Sequence, residues 1–80
     1  NRLYKRYREW IAAVIRTGVE SGEFTAGIDV EATADVAMAL LDGAGVRVML
    51  DDPGMDAKAA RRLVAGALAP VLGVEAASLL

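Results

Sequence analysis

Residues 30–50 read VEATADVAMALLDGAGVRVML, and the fold is decided there. The stretch never alternates apolar with polar for long, so it does not read as a strand. Wound as a helix, it places Glu31, Asp35 and Asp42 within about 40° of one another, a narrow wet stripe. Nearly everything else is apolar or small: Ala32, Ala34, Val36, Ala37, Leu40, Leu41, Ala44, Val48 and Leu50. Asp29 stands where an N-cap accepts the first free amides, and Glu31 falls in the first turn, where the helix dipole favours a negative charge. The spacing predicts a helix over 30–50, roughly 30 Å long at 1.5 Å per residue. A helix that is apolar almost all round is covered on several sides.

Two features interrupt it. Arg47 projects about 140° from Asp42, among Leu40 and Ala44. Either its stem packs while the guanidinium reaches the helix end, or it pairs with a carboxylate across an interface or in a pocket. Gly43 and Gly45 cost about 1 kcal/mol each relative to alanine. They mark a place where another helix or a ligand comes close.

Upstream, Leu3, Tyr7, Trp10, Ile11, Val14 and Gly18 recur at 3–4 spacing and predict an amphipathic helix over 2–20. Ser21-Gly22 ends it, and Phe24 plugs the loop by tucking back under the helix ends. Downstream, Asp51-Asp52-Pro53-Gly54 is a turn. A third helix is predicted over 56–72, with Asp56 as its cap. Ala60, Leu63, Val64, Ala67, Leu68 and Val71 form one stripe, while Lys58 and Arg62 face away. Gly73 ends it, and 75–80 is a tail that frays or adds Leu79 and Leu80 to a neighbour.

Composition sharpens this reading. Fifty-five per cent of the 80 residues are apolar, and an 80-residue chain has too much surface to bury them all alone. Part of that surface therefore belongs to a partner. The chain has no histidine and no cysteine, which excludes a Ser-His-Asp triad, a thiol nucleophile, a disulfide framework and an ordinary zinc site. No metal, no cofactor and no enzymatic activity are expected. No apolar run reaches the roughly 18–20 residues of a membrane span. Residues 1–16 carry Arg2, Lys5, Arg6, Arg8 and Arg16 against Glu9, a balance of +4, and the rest of the chain carries −6. The basic end is either a solvated helix face or a contact for nucleic acid or a membrane surface. The acidic remainder would repel a phosphate backbone.

The ordered elements carry a resemblance. Trp10-Ile11, Gly18, Ser21-Gly22-Glu23-Phe24, Asp29, Ala37, Leu40-Leu41-Asp42-Gly43 and Asp51-Asp52-Pro53 follow one another over about residues 4–73. In order and spacing they resemble the C-terminal regulatory domain of TetR-family transcriptional regulators, in the manner of the BetI-like subgroup. The resemblance implies an all-α, three-helix fragment that senses a small apolar or amphipathic effector. It implies a homodimer in which the last two helices pack on their symmetry mates as a four-helix bundle. It also implies a cytoplasmic protein, most often a repressor, with no membrane contact. Operator DNA would be read by an N-terminal helix-turn-helix domain outside these 80 residues. The chain, which begins without methionine, reads as the end of such a regulator.

On that basis the candidate interface comprises Ala37, Leu40, Ala44 and Val48 of the second helix with Leu63, Val64, Ala67, Leu68 and Val71 of the third. Candidate ligand-binding residues are Tyr7, Trp10, Val14, Met38 and Leu41, apolar or amphipathic groups suited to a concave site. For Tyr7 and Trp10 ordinary core packing is the alternative. A helical protein–protein interaction module without a ligand is the rival to the whole reading.

Overall fold

The computed structural model describes residues 2–80. They form three α-helices, α1 (Arg2–Glu20), α2 (Val30–Met49) and α3 (Ala57–Leu72), followed by a short 3₁₀ turn at Ala76–Leu79. No strand occurs among the described residues. The caps show why the helices start where they do. The Asp29 carboxylate accepts from the Ala32 amide at 3.0 Å, and the Asp56 carboxylate accepts from the Ala59 amide at 2.8 Å. Each side chain thus satisfies one of the amides that a helix N-terminus leaves free. Gly73 closes α3 in the left-handed conformation, its N–H donating to the Ala69 carbonyl.

The helices lie side by side, with α2 between α1 and α3. The result is a layer 38 × 31 × 15 Å, about one helix thick in its shortest direction. Neighbours run antiparallel, so the C-termini of α1 and α3 and the N-terminus of α2 share one end. That end holds the core: Ile11, Ala12 and Ile15 from α1, Ala34, Ala37 and Met38 from α2, and Leu72 from α3. Phe24, Ile28, Val30, Leu68, Val74 and Leu79 pack around it. The first loop is tied to α3 by the Thr25 amide, which donates to the Leu72 carbonyl at 2.9 Å. Of the tail, Leu79 is therefore part of the core and Leu80 stays exposed.

Phe24 plugs the end of the layer as its position predicts. Its ring lies on Gly18, so close that a methyl group there would overlap it. At the opposite end Asp51 adopts the left-handed conformation at φ 55°, which aspartate tolerates better than most residues. The turn it opens answers the question left by Arg47. The Arg47 Nε donates to Asp52 at 2.7 Å, and the second Asp52 oxygen accepts from the Gly54 amide at 2.8 Å. Arg47 staples the turn of its own chain. These contacts, the guanidinium first, hold the Asp52 carboxyl below the usual carboxylate range.

The charge imbalance of the sequence also has a structural outcome. The acidic stripe of α2 is not left to water alone. Arg8 donates to Asp35 at 2.6 Å and to Glu31 at 2.9 Å, Arg16 reaches Glu31 at 3.4 Å, and the Tyr4 hydroxyl donates to Asp42 at 2.9 Å. The basic first helix thus lays three of its polar side chains along the acidic face of the second.

Candidate functional site

α1 and α3 each pack on α2 and not on each other, and they leave a groove over the middle of α2. Its volume is ≈ 400 Å³, within the range of small-molecule sites. Ala37, Leu41, Ala44 and Gly45 form its floor. Trp10, Ile11, Val14 and Ile15 of α1 form one wall. Ala60, Arg61, Val64, Ala65 and Leu68 of α3 form the other. Phe24, Thr33, Leu72 and Leu79 close the core end. The small floor residues set the depth. An added Cβ at Gly45 would meet nothing within 4 Å, so nothing in this chain fills the space above it.

Trp10 is 63% exposed and Val14 46%, a high exposure for apolar side chains on a core-facing stripe. Trp10 is held edge-on by Tyr7, with ring centroids 5.9 Å apart. Besides Arg61 and the indole N–H of Trp10, the lining carries Thr33, whose hydroxyl is already committed, donating to the Asp29 carbonyl at 2.7 Å.

The sequence-predicted ligand residues divide between two concavities. Trp10, Val14 and Leu41 line the groove. Tyr7, Met38 and again Leu41 line a second one of ≈ 450 Å³ nearer the N-terminus of α1, beside the Tyr4–Asp42 hydrogen bond. Met38 is buried in the core. The predicted interface set divides as well. Ala37 and Ala44 are buried between the helices, Val64 and Leu68 line the groove, Leu40 and Val48 are half-buried, and Leu63, Ala67 and Val71 are exposed.

Arg61 escaped the sequence reading altogether, and a second group was read only as scattered apolar or small positions. Arg61 lies four residues before Ala65 and seven before Leu68, the helical spacing that puts it on their face. The second group is the outward side of α2. Val36, Ala39, Gly43, Val46 and Leu50 recur at 3–4 spacing, span about 80° and point roughly opposite the groove floor. All five are exposed, and an added Cβ at Gly43 would meet nothing within 4 Å. α2 therefore carries two apolar faces back to back, with the Arg8-paired carboxylates between them on the α1 flank.

Among the described residues no cluster of carboxylates is arranged to hold a metal ion, and no helix is long and apolar enough to cross a membrane. A one-layer array of three helices, capped as above and apolar on both surfaces, is the arrangement of a helical domain that works against other surfaces. Residues 1–73 match the family described as BetI-type transcriptional repressor, C-terminal, and the chain belongs to that family. It is a transcriptional regulator domain of the TetR type. No curated protein and no solved structure matches the chain.

Proposed function

We propose that this chain is the sensing and dimerisation part of a TetR-like repressor. The groove between α1 and α3 holds a small apolar or amphipathic effector. The outward apolar face of α2, continued by exposed Leu63 of α3, seats a second copy of the chain. Operator DNA is read by a separate N-terminal domain, and the regulator works in the cytoplasm. Effector binding favours one arrangement of the dimer over another, and so changes the spacing of the DNA-reading domains.

One observation carries this reading: α2 is apolar on two opposite faces, one flooring a ≈ 400 Å³ groove and one open outward. A twofold partner covers the same patch on both subunits, which suits a face whose Gly43 and Ala39 let backbones approach. The test is the mass in solution by light scattering of the wild-type chain and of Val46→Glu. A dimeric wild type and a monomeric, still helical variant are expected. A wild type that stays monomeric at high micromolar concentration overturns the dimer and leaves the ligand-free interaction module as the better account.

A further inference from the structure

The groove that the proposed function assigns to an effector contains an electrostatic instruction about which effector. Its lining is apolar apart from the Trp10 indole N–H, the Thr33 hydroxyl, which is bonded to the Asp29 carbonyl, and Arg61 of α3. No aspartate or glutamate lines it. Arg8, Arg16 and Arg47 each pair with a carboxylate of this chain; Arg61, like Arg2, Arg6 and Arg62, has no ion pair among the described residues, and of these four it alone lines the groove. Lys58 and Arg62 stand within one turn of Arg61, and the nearby Asp56 carboxylate is committed to capping the Ala59 amide.

We propose that the groove takes an anionic amphiphile. Its apolar body lies along Ala37, Leu41, Ala44 and Gly45 against Trp10, and its acidic head pairs with the Arg61 guanidinium. This rests on the groove being the effector site. Arg61 supplies the geometry for the head, because a guanidinium presents paired donors that match the two oxygens of a carboxylate. The apolar floor supplies affinity without selecting a particular body, so discrimination falls on the head group.

The experiment uses Trp10, the single tryptophan of the chain, as the reporter. Octanoate, octan-1-ol and octyltrimethylammonium share one apolar tail and differ in head charge. Each is titrated below its micelle concentration, and the change in tryptophan fluorescence is followed. Octanoate is expected to bind about tenfold more tightly than octan-1-ol, the size of a charge-assisted hydrogen bond, and octyltrimethylammonium most weakly. Arg61→Gln is expected to abolish the preference for octanoate while leaving octan-1-ol unchanged, and Arg62→Gln to leave both unchanged. If octanoate and octan-1-ol bind wild type equally, or if Arg61→Gln keeps the preference, the anionic head is wrong and the groove remains an apolar site. If none of the three perturbs Trp10, the groove itself is not a ligand site and both readings fall together.

Discussion

Gly18 and Phe24 are six residues apart and define the closed end of the layer. A glycine inside a helix ordinarily costs about 1 kcal/mol, so replacing it with alanine should stabilise the chain. Here the sign reverses. The methyl group of Gly18→Ala would come within 2.9 Å of the Phe24 Cγ and overlap the ring edge, so the ring must leave its seat against the core. Overpacking of this kind costs about 1–3 kcal/mol, enough to cancel the helix gain or exceed it. The expected outcome is a lower midpoint in urea for Gly18→Ala. Gly66→Ala in dilute monomer is the contrast, since its methyl meets nothing within 4 Å, and it should raise the midpoint. Phe24 was legible in the sequence as a plug because a lone aromatic after Ser-Gly has nowhere else to go. Arg61 was not, because a charged residue beside Arg62 on a helix reads as part of its solvated face.

α1 and α2 meet along a seam of exposed ion pairs, and its behaviour follows from the direction of the shifts. The Arg8 guanidinium, hydrogen-bonded to it, holds the Asp35 carboxyl below the usual carboxylate range. Hydrogen bonds from Arg8 to Asp35 and Glu31 keep the guanidinium more firmly protonated than usual. A carboxylate whose folded pKa is depressed stabilises the fold above its unfolded pKa, and that contribution fades as pH falls through the folded value. The loss therefore falls below about pH 4, the ordinary aspartate value. Asp35→Asn should lower stability at neutral pH by a small amount, as solvent screens such pairs. It should also flatten the acid limb of a stability-against-pH curve, measured by thermal melts from pH 7 to pH 2.5. An unchanged acid limb would show that the pair contributes nothing. The three helices themselves were legible from apolar spacing and the two aspartate caps. The seam was half legible: the acidic stripe and the basic helix were each visible, but nothing in one dimension says that they face each other. Arg8 must be placed against Asp35, 27 residues away, before the two charge patterns become one contact.

At the scale of the whole molecule the decisive fact is thinness. Among the described residues no large side chain is fully buried, and six of the eleven buried apolar residues are alanines. Such a core removes little apolar surface per residue, and an 80-residue chain starts with a poor ratio of interior to surface. On the proposed pairing, much of the stability of the assembled protein comes from what lies against its two faces. The melting temperature of the chain should accordingly rise with protein concentration, because association with a second copy stabilises only the folded form. Scans from a few micromolar to several hundred micromolar should show the rise for wild type and not for Val46→Glu, and a flat wild-type series would contradict the proposed pairing. The apolar excess that signals this was plain from composition, but its division between two faces was not. Ala37 and Ala44 look like interface residues in a list of apolar positions. Only the placement of α1 and α3 shows that they face inward and that Val36, Ala39, Gly43 and Val46 face out.

A layer 15 Å thick has a further consequence. Gly45 on the groove floor and Gly43 on the outward face are two residues apart on one helix, with only a backbone cylinder of about 2.3 Å radius between the surfaces they line. No second shell of side chains can absorb a shift of α2 before it reaches the other side. A displacement of the α2 backbone on the groove side is therefore felt directly on the outward side. Thermodynamic reciprocity then holds over a single helix diameter: whatever factor an occupant of the groove adds to the affinity of the outward face, an occupant of that face returns to the groove.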